Sequence, residues 1–141
     1  MEYEDDFFLW TIQQAAVLRA GQLSKLDLVN LAEEIESLGR RDRRELADRF
    51  RKLIAELLKW RCDPGARCGY WRAAIGQQRY EVELILRDSR SLRQFLRDEL
   101  PTIYAEARED VIDELRLLQP DFGAECPFTP EQILADDFLP E

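Results

Sequence analysis

The sequence predicts an all-α protein: a single-domain helical bundle of five or six helices with an extended, proline-rich C-terminal arm. Three observations carry this. Apolar residues recur at helical spacing from Phe7 to about Leu118, no stretch shows the two-residue alternation of a strand, and four of the six prolines fall after residue 119. Residues 1–118 are expected to form the bundle, and residues 119–141 an arm with one short helix, both parts of one domain. A chain of 141 residues with 45% apolar side chains can bury roughly 68% of its unfolded surface without metal or disulfide staples.

Residues 7–20 place apolar groups at almost every angle of a helical wheel, with Phe8, Ile12 and Ala15 on one side and Trp10 and Val17 on another. This predicts a first helix buried on more than one face and stopped by Gly21, which suits the left-handed position after a helix end. Ser24 and Asp27 read as an acidic variant of the capping box, opening a helix whose Leu28, Leu31, Ile35 and Leu38 line one face while Asn30, Glu33 and Glu34 face solvent. The apolar phase continues past Gly39 to Leu46, Phe50, Leu53 and Leu57. A glycine inside a helix costs only about 1 kcal/mol against alanine, so residues 25–61 can form one kinked helix or two, and two is the favoured arrangement.

Asp63-Pro-Gly65 is a turn signal, with proline presetting φ and Gly65 supplying a positive φ, and it predicts a helical hairpin. Trp71, Ile75, Val82 and Leu86 mark the next helix over about 70–88, with Arg79 to Glu83 and Glu83 to Arg87 as opposite charges one turn apart. Ser89 or Ser91 can cap a further helix carrying Leu92, Phe95, Leu96 and Leu100. Pro101 then kinks that helix or, at lower cost, opens a new one running to about Leu118 through Ile103, Tyr104, Ala107, Val111 and Leu115. In the arm, Thr129-Pro-Glu-Gln132 combines a cap, a first-turn proline and a Gln that reaches back, predicting a short helix through Leu134 or Ala135. Phe122, Phe128, Ile133, Leu134, Phe138 and Leu139 make the arm too apolar to stand in water. It is expected to strap across the helices of its own bundle or of a second subunit.

The chain has no histidine, which removes Ser-His-Asp and Cys-His catalysis, His-containing zinc sites and the Glu-x-x-His pairs of di-iron bundles. Neither GxxxxGK[ST] nor GxGxxG occurs, so the common phosphate-cradling loops are missing. Mean hydropathy is −0.44 and no apolar run nears the roughly 18 residues of a membrane span, so no membrane partner is expected. The acidic start, Met1 to Asp6, lacks the basic region of a secretory signal, and a cytoplasmic location is the expectation. Cys62, Cys68 and Cys126 are expected to be reduced, small buried apolar residues, since a zinc site normally needs four ligands at tighter spacing. Trp10, Trp60, Trp71 and Tyr70 are expected in the core. No cofactor is expected.

Charge is laid out in three blocks: −6 over residues 1–38, +8 over 39–97 and −11 over 98–141, for a net −9. Seventeen of the twenty bases are arginines, the residue that forms planar two-pronged pairs with carboxylates. Arg40, Arg44 and Arg51 share one angle of a helix, with Arg41, Lys52 and Lys59 beside them. This stripe is either an anion or partner patch or the internal counterpart of acids in residues 98–137, and the second is favoured. Nucleic acid is disfavoured because net charge −9 repels phosphates outside the local patch. Among carboxylates, Glu33-x-x-Glu36 followed by Glu45-x-x-Asp48 is faintly similar to the magnesium ligands of all-helical nucleotide pyrophosphatases, at a spacing that looks too short. Glu106 or Asp110 with Asp113 could substitute.

Tyr3-Glu-Asp-Asp6 with Phe7, Leu9 and Trp10, the run Leu26-Asp-Leu-Val-Asn-Leu-Ala-Glu-Glu-Ile-Glu-Ser-Leu-Gly39, Leu57-Leu-Lys-Trp60, Trp71-Arg72, Cys126-Pro-Phe-Thr129 and Asp137-Phe-Leu-Pro140 appear in that order. Taken together they resemble the bacterial domain-of-unknown-function family numbered twenty-nine, over essentially the whole chain. The resemblance implies a small helical fold and brings no activity.

The function is therefore unknown from sequence. The best reading is a non-enzymatic cytoplasmic interaction domain that binds an unknown protein partner or self-associates, for instance as a homodimer. The alternatives are a magnesium-dependent phosphate-ester or pyrophosphate hydrolase using helix carboxylates, and an antitoxin-like acidic module that neutralises a basic protein.

Overall fold

A computed structural model describes residues 2–116 and 120–141. The described residues hold six α-helices and no strand: α1 (Glu2–Asp5), α2 (Phe7–Arg19), α3 (Leu28–Cys62), α4 (Gly69–Asp88), α5 (Leu92–Glu114) and α6 (Pro130–Leu134). Single 3₁₀ turns cover Leu23–Lys25 and Pro64–Ala66. Two compact units result, residues 1–41 and 42–141.

In the first unit, Asp6 caps α2 by accepting from the Leu9 N–H at 3.0 Å, and Gly21 takes φ 69° beyond its end, the left-handed conformation a side chain would resist. Two expectations are corrected. The α3 cap is Asp27 rather than Ser24, which lies in the 3₁₀ turn: the Asp27 carboxylate accepts from the Asn30 N–H at 3.4 Å. And α2 is not buried on several faces, because only Trp10 is sealed while Phe7, Phe8, Leu9, Ile12 and Leu18 are exposed.

The second unit holds the hydrophobic core. From α3 come Leu46, Phe50, Leu53, Ile54, Leu57 and Leu58, all with no exposed surface. Ile75, Val82 and Leu86 of α4 meet them, with Leu96, Ile103, Tyr104, Ala107 and Val111 of α5. Their spacing by three and four residues is the helical stripe read from the sequence.

Residues 28–62 form one helix rather than two, with Gly39 in its interior and nothing near the place its Cβ would take. The cost of that glycine, about 1 kcal/mol, is small against a stripe whose phase it leaves intact. Likewise Pro101 lies inside α5 and does not start a new helix; the residues on both sides, Leu96 and Ile103, are in one core. The α5 helix ends at Glu114 with Leu115 as its cap, short of the expected Leu118; positions 117 and 118 fall outside the described residues. Ser91 stands before α5 without a side-chain capping bond. The turn after α3 is as expected in place, but Gly65 does not use a positive φ.

The arm packs on the second unit. Phe128 and Ile133 belong to its core, and Phe122, Cys126, Leu134, Phe138 and Leu139 pack against it. Phe128 and Phe138 meet edge to face at 5.6 Å. The α6 capping box forms as predicted, with Thr129 Oγ1 accepting from the Gln132 N–H at 3.1 Å and Gln132 Oε1 accepting from the Thr129 N–H at 3.0 Å. Among the described residues five side chains hold the arm by its backbone or by charge, one of them Arg67, which donates to the carbonyl of Pro140 at 3.5 Å. Arg79 donates to the carbonyls of Ile133, Asp136 and Phe138; Tyr104 Oη and Arg108 donate to the carbonyl of Gly123; Arg97 pairs with Glu131. The predicted ion pair of Arg79 with Glu83 is thus absent. Arg79 is 2% exposed and spends its donors on the arm.

Candidate functional site

Sequence segments from both ends of the first unit converge on Asp27. The Trp10 indole N–H donates to Asp27 Oδ2 at 3.0 Å, and the Asn30 amide donates to the same oxygen at 2.8 Å. The Asp27 backbone N–H in turn donates to Gln14 Oε1 at 2.8 Å. The Asn30 hydrogen bond, helped by Trp10, holds the Asp27 carboxyl below the usual carboxylate range. A second link runs from α1 to α3: the Tyr3 hydroxyl donates to Glu34 Oε1, and that bond pushes the Tyr3 phenol above its ordinary value. Tyr3, Phe7 and Trp10 close the arrangement as an aromatic cluster, with Tyr3 edge-on to Trp10 at 4.8 Å and Phe7 stacked on Trp10 at 5.7 Å.

This network fixes α2 against the start of α3 and leaves a groove of about 410 Å³ between them, lined by Phe7, Trp10, Leu18, Leu31, Ile35 and Leu38 on its apolar side and by Thr11, Gln14, Glu34 and Arg41 on its polar side. The expected solvent and core faces of early α3 are therefore partly exchanged. Asn30 and Glu34 are half-buried in hydrogen bonds, whereas Ile35 and Leu38 are 67% and 55% exposed. The groove's one carboxylate, Glu34, accepts from the Tyr3 hydroxyl, and the neighbouring Asp27 carboxylate accepts from Trp10 and Asn30, so neither is part of a cluster of free acids.

The model of a family described as Domain of unknown function DUF29 matches residues 2–139. The chain belongs to the DUF29 family. No curated protein and no solved structure matches it.

The predicted basic stripe of this DUF29 chain is divided among three roles. Arg40 pairs within α3, with Glu33 at 2.8 Å and Glu36 at 3.7 Å. Arg51 binds Asp110 of α5 with two prongs and also reaches Glu106 at 3.0 Å. Lys59 bridges Glu56 at 2.9 Å and Glu114 at 3.2 Å. Burial pulls the Lys59 ammonium down, and those two carboxylates more than offset it. Arg41 lines the groove, while Arg44 and Lys52 are exposed and form no ion pair among the described residues. The carboxylates proposed for magnesium do not converge: among the described residues no group of three or more potential ligands could hold a metal ion. Glu33 and Glu36 turn to Arg40 and Glu45 to Arg49, at 3.3 Å, on one helix where two facing helices would have been needed; Asp48 is exposed.

Free cysteines occupy all three positions. Cys62 and Cys126 are half-buried, but Cys68, the residue before α4, is exposed, contrary to expectation. Trp10 and Trp60 are buried and Trp71 packs on Trp60 at 5.5 Å; Tyr70, 87% exposed, is not a core residue.

Two residues that organise the structure have partners that composition and phase do not give. Read from the sequence, Ser24 is the cap and Asp27 its partner, although Asp-x-x-Asn30 is a cap pattern in its own right. Arg79 sits four residues after Ile75 and three before Val82, within the buried stripe itself, which is where an arginine with internal duties would stand.

Proposed function

We propose that this DUF29 chain is a non-enzymatic protein-interaction module that takes the apolar face of a partner helix into the α2–α3 groove. The observation that carries this is the exposure of Ile35 and Leu38, at 67% and 55%, on a face whose helical phase continues into Leu46, Phe50 and Leu53, which have no exposed surface. Large apolar side chains grouped on one rigid surface are costly in water, and each Leu or Ile that a partner fully covers contributes roughly 1.5 to 3 kcal/mol. The Asp27 network supports the same reading, since a prefixed groove loses little freedom on binding.

A photo-reactive residue placed at Ile35 tests this in cells. Covalent capture of a protein from Ile35, abolished by Leu38→Glu and absent from the same probe at the exposed Lys52, is expected. Capture from Lys52 as frequent as from Ile35 would refute the groove as the docking surface.

A further inference from the structure

Resting on that reading and naming its partner, we propose that the groove is filled by a second copy of the same chain, packed antiparallel across a two-fold axis. Glu34 and Arg41 both line the groove and stand seven residues apart on α3. Seven residues is two helical turns, roughly 10 Å of rise, so acid and base lie on the same flank of the stripe formed by Leu31, Ile35 and Leu38. An antiparallel pair of such helices sets equal flanks together and reverses their order. Glu34 then faces the partner's Arg41, and Arg41 faces the partner's Glu34. A patch that meets its own charges when turned upon itself is the requirement of an isologous interface. A partner helix of uniform sign would satisfy one of these rim charges and repel the other.

The local chemistry favours the same arrangement. Tyr3 donates to only one oxygen of Glu34, which orients the carboxylate and leaves Oε2 able to accept from a guanidinium. Arg41 is exposed at the groove edge, with its donors accessible to an incoming carboxylate. The apolar faces of α2 and early α3 from each copy would together close a four-helix core, the usual solution for helices that each expose an apolar stripe.

Sedimentation of the full chain over a range of micromolar concentrations tests the proposal. The unaltered chain is expected to be a dimer. Glu34→Arg and Arg41→Glu each replace two attractive pairs by two repulsive ones, so each alone is expected to weaken dimerisation about tenfold or more. An equimolar mixture of the two variants is expected to recover association as a heterodimer, because one carries only basic and the other only acidic rim charges; a variant that merely failed to fold could not be rescued so. A chain that stays monomeric throughout overturns the second-copy proposal, and if the Ile35 probe still captures a different protein, the docking reading stands without it. Variants that dimerise as tightly as the unaltered chain, or a mixture no tighter than its components, also overturn it.

Discussion

Arg51 of α3 and Asp110 of α5 form a two-pronged ion pair, Nε donating to one carboxylate oxygen at 2.6 Å and Nη2 to the other at 2.7 Å. The pair joins two helices of the core that are 59 positions apart in sequence.

The hydrogen bond from Arg51 holds the Asp110 carboxyl below its ordinary value of 3.8. A carboxylate depressed in the fold stabilises it at pH above the unfolded value, and that contribution disappears as pH falls through the lower folded value. Both side chains are about two-fifths exposed, so solvent screening keeps the contribution of the pair at about 0 to 1 kcal/mol. Asp110→Asn is therefore expected to lower the melting temperature slightly at neutral pH, with the deficit shrinking as acidification takes the Asp110 carboxyl through its depressed folded value. A deficit that grew on acidification would contradict the assignment.

Arg79→Met is expected to destabilise the protein by about 1.5 to 3 kcal/mol, since it strips three arm carbonyls of a charged donor in a buried place. Arg79→Lys should recover little, because an ammonium cannot reproduce the planar fork. Melting temperature and the rate of proteolysis within residues 120–141 are the measurements. An arm as resistant in Arg79→Met as in the unaltered chain would rule out the lock.

Removal of residues 120–141 is expected to lower the melting temperature strongly. It withdraws Phe128 and Ile133 from the core, each of which contributes roughly 1.5 to 3 kcal/mol, and uncovers the side chains they touch. Thermal unfolding followed by circular dichroism decides it; an unchanged midpoint would show the strap to be dispensable.

Thiol alkylation of the folded protein should label Cys68 first. Burial pushes the Cys62 and Cys126 thiols up and reduces their thiolate fraction, while Cys68 is exposed. Mass spectrometry is expected to find one modified cysteine early and three after denaturation. Early labelling at Cys126 would contradict the packing of the arm.

Helical periodicity made α4 and α6 legible almost to the residue, since Ile75, Val82 and Leu86 mark a buried stripe and Thr129 to Gln132 carry a complete cap. The continuity of α3 and α5 was not legible. Gly39 and Pro101 carry local penalties of about 1 and 3 kcal/mol, and only the packing on either side, remote in sequence, outweighs them. The choice of Asp27 over Ser24 depends on Trp10 and Gln14, which the chain brings up from 17 and 13 positions away. For the groove, phase showed that Leu31, Ile35 and Leu38 share a side. Phase cannot show whether the chain supplies a cover, and here Ile35 and Leu38 remain exposed.

The hydrogen bonds that lock Arg79 to the arm all end on carbonyl oxygens, at Ile133, Asp136 and Phe138. They therefore measure the length and path of the arm's backbone. Substitutions at Asp136 leave every one of these acceptors in place and remove only the nearby negative charge that favours the Arg79 cation. Insertion or loss of a single residue between Ile133 and Phe138 shifts the acceptors out of step with a donor that is fixed in the α4 stripe. The arm is tolerant of spelling and intolerant of miscounting.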